Sequence, residues 1–88
     1  MELYTSHRKG KRYAVVINNR TYHFGQQNGK TYIDEGNKTK RENYIRRHSV
    51  KENWDEINPG SLSRYILWGK HTNLEDNIKD YIKKFNIK

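Results

Sequence analysis

Apolar positions in the first part of the chain follow a strand pattern. Residues 11–18 are rich in β-branched and aromatic side chains, which predicts a first strand. Residues 20–24 predict a second strand, and Asn18-Asn19 between them tolerate positive φ, so a short hairpin is expected. Residues 30–34, which follow a turn at Asn28-Gly29, predict a third strand. The pattern therefore indicates a three-stranded antiparallel meander, since two strands alone are seldom stable in water.

Two helices are predicted in the middle of the chain. Residues 39–42 have the T-x-x-E form of a capping box, which predicts a helix from about residue 40 to residue 49. Ser61 can cap a short helix over residues 62–68, with Gly69 at the position of a left-handed C-terminal residue. This second helix ends in four consecutive apolar residues, so we expect it to be the most buried of the helices.

The last helix has the clearest apolar stripe. A second T-x-x-E box at residues 72–75 precedes it. Five apolar side chains then recur on one helical face: Leu74, Ile78, Tyr81, Ile82 and Phe85. Strands followed by helices predict an α+β fold, in which an N-terminal three-stranded antiparallel meander packs on about three C-terminal helices. We expect residues 11–88 to form this single domain and residues 1–10, which lack periodicity, to be a flexible basic arm.

Composition excludes several classes of protein. Leu, Ile, Val and Phe make up only 17 of the 88 residues, but seven Tyr and two Trp can complete a small core. The chain has no Cys, which excludes disulfides, thiolate zinc ligands and thiol chemistry. The longest apolar run, residues 14–17, is too short for a membrane span or a signal-peptide core. We therefore expect a protein that is neither secreted nor bound to a membrane.

The positive charge is confined to the first part of the chain. There are 18 Lys and Arg against 10 Asp and Glu, a net charge of +8. Residues 1–51 hold 12 of these cations and four of the acids, whereas residues 52–88 hold six of each. This asymmetry indicates a half that faces a polyanion, of which nucleic acid is the commonest. The alternative interpretation is that the charge only keeps a small protein in solution.

Eight basic side chains are the candidates for contacts with phosphates. They come from the arm with the first strand and from the helix over residues 40–49. The first group is Arg8, Lys9, Lys11 and Arg12, and the second is Lys40, Arg41, Arg46 and Arg47. Together they can contact about four to six phosphates, with steep salt dependence and little sequence preference. The alternative is that the helical cations form an ordinary solvated face.

No catalytic or metal-binding set is evident. His48, Asn53 and His71 can be combined on paper, but their spacing does not match a metal site and no acidic pair is placed to hold Mg²⁺. We therefore expect a non-enzymatic protein without catalytic residues, metal or cofactor, and a small metal-dependent nuclease stays as an alternative. His48 is expected to pack structurally beside Tyr44. The two Trp are expected in the core rather than as stacking platforms for bases.

An ordered set of short motifs resembles a known family. The motifs are His23-Phe24-Gly25, Tyr44-x-x-Arg47-His48, Glu52-Asn53-Trp54 and Leu67-Trp68-x-Lys70. Over roughly residues 12–86 they resemble a family of small, basic, uncharacterised proteins encoded by large double-stranded DNA viruses of algae and amoebae. The resemblance implies a compact domain and a viral context, and it implies no activity.

These observations favour one function and leave two others open. The favoured function is that of a non-enzymatic viral protein whose N-terminal half binds nucleic acid or another polyanion in the cytoplasm or nucleus of the host, or in the virus particle. The first alternative is a protein–protein interaction module, either a minor virion component or an inhibitor of a host or defence complex, whose basic face meets an acidic protein surface. The second alternative is the nuclease.

Overall fold

A computed structural model describes all residues, 1–88, as three strands followed by helical segments. The strands are β1 (Glu2–Thr5), β2 (Lys11–Ile17) and β3 (Arg20–Gln26), in one antiparallel sheet with the order β1-β2-β3. The helices are α1 (Tyr32–Glu35), α2 (Lys38–Ser49), α3 (Pro59–Leu62), which continues into a π-helical turn (Ser63–Leu67), and α4 (Leu74–Lys84). The predicted α+β class, with a three-stranded antiparallel sheet ahead of the helices, is confirmed.

The hairpin between β2 and β3 forms where the sequence predicts it. Asn18 and Asn19 both have positive φ, at 52° and 66°, so the two-residue turn matches the right-handed twist of its strands. Ile17 pairs with Arg20 across the turn, and Tyr13 pairs with Phe24 farther along. Alternation along β2 and β3 then directs Val15, Ile17 and other apolar side chains into the core.

The third strand is not at residues 30–34, where the sequence predicts it. That segment contains α1 instead, because Thr31 and Asp34 form a capping box that closes a helical turn. Gly36, in the left-handed conformation with φ of 64°, ends the turn. The strand preference of Tyr32-Ile33 is overridden by these local hydrogen bonds.

The strand that completes the sheet comes from the predicted arm. Glu2–Thr5 pair antiparallel with β2, with Leu3 opposite Val15, so the prediction of a loose arm over residues 1–10 is wrong for these residues. Residues 6–10 form the tight connection to β2. In this connection the Lys11 amide donates to the Arg8 carbonyl at 3.1 Å.

The two longer helices begin at asparagines rather than at the predicted threonines. The Asn37 side chain accepts a hydrogen bond from the Lys40 amide at 3.0 Å, so α2 starts two residues before the predicted helix. The Asn73 side chain likewise accepts from the Asp76 amide at 3.1 Å and caps α4. Asn caps a helix as well as Thr does, so both T-x-x-E predictions miss the cap while locating the helix.

The helix predicted over residues 62–68 begins earlier, at Pro59, where Asn58 rather than Ser61 is the cap, and its residues 63–67 are π-helical. Gly69 after it is not left-handed. Gly69 is required for space, because a Cβ there would lie 2.2 Å from the Tyr65 carbonyl oxygen. The buried side chain of Asn77 fastens the segment that follows. It donates to the carbonyls of Ile66 and His71, both at 2.8 Å.

The core lies between one face of the sheet and the helical half. Its buried side chains include Phe24, Leu62, Leu67 and Tyr81. β3 packs close to the π-helical turn at Gly25, where a Cβ would lie 2.9 Å from the Leu67 side chain. Burial raises the pKa of the Tyr81 hydroxyl to about 12, and the hydroxyl lies 2.8 Å from Ser61 Oγ. None of the helices has the length and apolar composition needed to cross a membrane.

Candidate functional site

A polar cleft of about 760 Å³ opens between the sheet and α2. Its walls come from the start of β2, the end of β3, the loop before α1, α2 and the π-helical turn. Its cationic and imidazole side chains are Lys11, Lys30, Lys40, Arg47 and His48. No Asp or Glu is among the residues that line it. A cleft that gathers positive charge without carboxylates concentrates the electrostatic field that attracts anions.

Three aromatic rings are stacked beside these cations. The rings of Tyr44 and Trp68 are nearly parallel, at 8°, with their centroids 4.5 Å apart, and the His48 ring stacks on Tyr44 at 4.2 Å. Tyr44 and Trp68 are each only 8% exposed, so Trp68 is in the core as the sequence predicts. Burial, with a smaller contribution from Glu52, raises the pKa of the Tyr44 hydroxyl.

The His48 ring is held from the connector that follows α2. Its Nδ1 contacts a carboxylate oxygen of Glu52, one helical turn further along. The other oxygen of Glu52 accepts a hydrogen bond from the indole N–H of Trp54 at 3.2 Å. This chain of contacts fixes the ring orientation at the wall of the cleft, which accords with the structural role expected for His48. Trp54 itself is half-buried rather than fully in the core.

Three of the eight predicted phosphate ligands line the cleft, namely Lys11, Lys40 and Arg47. Lys11 begins β2, while the other two lie seven residues apart on α2 and therefore share a face. Lys40 Nζ also contacts Glu35 at 2.8 Å, with both side chains more than 40% exposed. Because exposed ion pairs contribute about 0–1 kcal/mol, Lys40 can exchange this carboxylate for a phosphate.

Arg12 and Arg41 are engaged within the fold instead. Arg12 forms a bidentate ion pair with Asp34. Its hydrogen bonds hold the pKa of Asp34 well below the usual range, and the same contact raises the pKa of Arg12. Arg41 Nε donates to the carbonyls of Trp68 at 3.1 Å and Gly69 at 2.9 Å. These two arginines hold elements together and do not line the cleft.

The three remaining candidates lie outside the cleft. Arg8 and Lys9 are exposed in the connection between β1 and β2, and Arg46 is exposed on α2. The connection between β1 and β2 also affects the pKa of His23. Burial lowers this pKa, and Arg8, His7 and Lys11 lower it to a smaller extent.

Lys30 is a cleft residue that the sequence interpretation does not select. It follows β3 in the loop before α1, whereas the sequence pattern assigns it to a strand. Its position beside the basic helix depends on the direction the chain takes after Gln26. The only sequence signal for Lys30 is its place in the positively charged part of the chain.

Most of the positive charge has no carboxylate partner. Ion pairs within 4 Å form at four places, and two of them involve histidines rather than Lys or Arg. Among the 18 Lys and Arg side chains, only Arg12 and Lys40 therefore pair with an acid. The other 16 have no carboxylate within ion-pair distance, although Arg41 and Arg64 donate hydrogen bonds to backbone carbonyls.

No group of three or more His, Cys, Asp or Glu side chains is arranged to hold a metal ion. The two histidines of the set considered from the sequence have separate partners. His48 contacts Glu52, while His71 lies 3.1 Å from Asp80.

One comparison with known proteins gives a match. A family model described as a family of unknown function (DUF5754) matches residues 1–48, more than half of the chain. No curated protein and no solved structure matches the chain. The matched residues contain the whole sheet, α1 and nearly all of α2, and they include the four cations of the cleft and His48.

Proposed function

The chain belongs to the DUF5754 family of unknown function, and we propose that it is a non-enzymatic protein that binds nucleic acid through its cationic cleft. One observation carries this proposal. Lys11 of β2, Lys30 of the loop before α1, and Lys40 and Arg47 of α2 converge on one cleft that no acid lines. Since these residues are far apart in the sequence, the fold and not a local run of charge creates the cluster.

The cleft chemistry suits phosphodiesters. The three lysines act as point charges toward phosphate oxygens, and the planar guanidinium of Arg47 can donate two parallel hydrogen bonds to one phosphate. The amide side chains of Asn43 and Gln26 line the same cleft and add neutral hydrogen-bonding groups. Because the charged contacts address the backbone of the nucleic acid, we expect little preference among base sequences.

The number of cleft cations sets the expected salt dependence. Four phosphate contacts give a slope of log K against log salt of about −3.6 for duplex DNA and about −2.8 for single strands. Between about 50 and 200 mM salt, affinity should therefore fall roughly 150-fold for duplex and roughly 50-fold for single strands.

The deciding experiment compares two double variants of equal charge. Lys30→Gln with Arg47→Gln removes two cleft cations, and Lys79→Gln with Lys83→Gln removes two exposed cations of α4 that do not line the cleft. Fluorescence anisotropy is measured with labelled single- and double-stranded DNA and RNA over a salt series. The cleft variant should lose about tenfold or more in affinity and about two units of salt slope. The α4 variant should stay within about twofold of the unmodified protein.

Two results would contradict the proposal. One is the absence of binding to every oligonucleotide at about 50 mM salt, where phosphate contacts are strongest. The other is an equal loss in both double variants, which would indicate a net-charge effect without a site. Affinity purification with and without nuclease then separates nucleic acid from an acidic protein partner, because only a protein partner stays bound after digestion.

The biological setting is part of the proposal. The motif resemblance over roughly residues 12–86 supports a viral context, in which the protein acts in the host cytoplasm or nucleus or is packaged with the viral genome. Mass spectrometry of purified particles tests the packaging. If the protein is present in the particles and its partners in affinity purification are lost after nuclease treatment, binding to the genome is supported.

A further inference from the structure

A second cavity, of about 170 Å³, lies apart from the cleft and shares no lining residue with it. Its walls come from α2, the π-helical turn, the segment after that turn and α4. Four of its seven lining side chains are cations: Arg41, Arg64, Lys70 and Lys84. Its one acid, Asp80, is 57% exposed and lies 3.1 Å from His71 Nε2. The sequence interpretation placed no site here, because three of these cations lie in the half of the chain whose net charge is zero.

The two arginines of this cavity meet at one backbone oxygen. Arg41 Nε and Arg64 Nη1 both donate to the carbonyl oxygen of Trp68, at 3.1 and 3.0 Å. Neither guanidinium has a carboxylate within ion-pair distance. Two like charges are thus held close together in a partly buried place where water screens them poorly. Burial, and next the charge of Arg41, lowers the pKa of Arg64, which reflects the same repulsion.

Arg64 is fixed in place with unused donors. A guanidinium has five N–H donors, and in Arg64 only Nη1 has an acceptor in the protein. Its Nε is inaccessible to solvent and has no hydrogen-bond partner. The rings of Trp54 and Tyr65 lie 5.2 and 4.9 Å from its central carbon and hold its position. A buried donor without an acceptor is uncommon in folded proteins, so Arg64 has unused hydrogen-bonding capacity.

We propose that this cavity binds a phosphate group. Phosphate is a compact anion with up to two negative charges, which matches a net excess of three positive charges among the lining residues. The volume of about 170 Å³ is several times the ~30 Å³ occupied by one water in the liquid, so the group fits with part of the molecule that carries it. Arg41 and Arg64 bind its oxygens, and Lys70 and Lys84 neutralise the remaining charge.

The site does not depend on the cleft. Its ligand is free phosphate or the phosphate group of a small monoester, and these two sources share one chemistry. Lys84 Nζ lies 5.0 Å from the centroid of the Tyr65 ring, on the side of the cavity formed by α4. A phosphate bound here therefore connects α4 to the π-helical turn that carries Arg64.

The test is a titration of the full chain followed by two-dimensional NMR. The probes are inorganic phosphate, phosphoserine and a 5′-phosphorylated dinucleotide. Acetate at the same ionic strength is the control anion for each probe. We expect saturable shifts of the Arg64 and Lys84 side-chain signals with at least one probe, and the probe that binds tightest identifies the source. No saturable shift with any of the three up to about 10 mM, the range of the weakest specific sites, would overturn the proposal.

Some variants should weaken phosphate binding and one should strengthen it. Because a destabilised fold can only weaken binding, this comparison separates the site from an effect on folding. Arg64→Gln and Lys84→Gln should each weaken phosphate binding about tenfold, the usual effect of losing a charged hydrogen bond. Asp80→Asn, at an exposed position, should strengthen it severalfold, because it removes the only negative charge in the lining. Lys79→Gln on the same helix should have no effect. Equal weakening by Lys79→Gln and Lys84→Gln, or loss of phosphate binding in the cleft double variant, would contradict the proposal.

Discussion

Arg12 holds both carboxylate oxygens of Asp34, with its two terminal nitrogens 2.8 and 2.7 Å away. Asp34 simultaneously accepts the Thr31 amide at 2.8 Å, so one carboxylate caps α1 and fastens that helix to β2. The residues are 22 positions apart in the sequence. A cation that the sequence offers to an external phosphate therefore stabilises the loop that brings Lys30 to the cleft.

Asp34→Asn should destabilise the protein by about 1–2 kcal/mol. The variant loses two charge-assisted hydrogen bonds, and the remaining exposure of the pair, 20% for Arg12 and 23% for Asp34, moderates the effect through solvent screening. In a chain of this size each kcal/mol corresponds to about 4–8 °C in Tm, which thermal unfolding followed by circular dichroism resolves. Glu35→Gln on the same short helix is the control, because it removes only the exposed ion pair with Lys40, and it should lower Tm less than Asp34→Asn does. Equal shifts in both variants would contradict a specific role for Asp34.

Stability should fall below about pH 4 because of the same carboxylate. The pKa of Asp34 in the folded state lies below its ordinary value of 3.8, so folding is favoured by the ionised form. This contribution is fully present above the unfolded value and is lost as pH falls from there toward the folded pKa. Urea unfolding of the unmodified chain and of Asp34→Asn at pH 6 and at pH 3 measures it. The difference between the two proteins should shrink at the lower pH, and a difference that is constant with pH would contradict this assignment.

His23 should report on a polyanion bound near the connection between β1 and β2. Its pKa is lowered by burial, by the cations Arg8 and Lys11, and by the neighbouring imidazole of His7. A bound phosphate chain would neutralise part of this positive charge, so the pKa of His23 should rise on addition of an oligonucleotide. Imidazole NMR signals followed against pH, with and without the oligonucleotide, measure the change. Arg8→Gln should raise the same pKa in the free protein, and an unchanged value in the complex would place the polyanion elsewhere.

Gly69→Ala should destabilise the protein far more than Gly10→Ala. A Cβ at Gly69 would lie 2.2 Å from the Tyr65 carbonyl oxygen and 2.7 Å from the buried Asn77, so the backbone after the π-helical turn has to move. We expect a loss of about 3 kcal/mol or more. At Gly10 a Cβ meets nothing within 4 Å, and only the positive φ of 84° opposes it, at about 1–2 kcal/mol. Denaturant unfolding of both variants gives the comparison, and equal losses would contradict the steric explanation.

The elements with strong local signals could be predicted from the sequence. The hairpin turn at Asn18-Asn19 and the apolar stripe of α4 depend on neighbours in sequence, and both are present in the structure. β1 has no such signal, because its strand forms only when β2 offers an open edge to Glu2–Thr5. At residues 30–34 the strand preference of two residues was overcome by one capping box. Local propensity is weak beside a pair of reciprocal hydrogen bonds.

The same distinction applies to the candidate site. The location of the positive charge in residues 1–51 is a property of the sequence, whereas the availability of each cation is a property of the fold. Arg41 is taken up by the Trp68 carbonyl, 27 residues away, and nothing in the helical pattern of α2 indicates that contact. Arg64 cannot be selected from the sequence for a different reason. Residues 52–88 hold as many acids as cations, but in the structure none of those acids pairs with Arg64.

The two tryptophans give each proposed site an optical signal of its own. The indole of Trp68 is part of the cleft wall, and that of Trp54 lies against the guanidinium of Arg64 beside the smaller cavity. The chain has no other tryptophan. Replacing either ring with phenylalanine leaves a single tryptophan, which can be excited selectively over the seven tyrosines. Occupancy of the cleft and of the cavity can then be followed separately, in real time and without any attached dye.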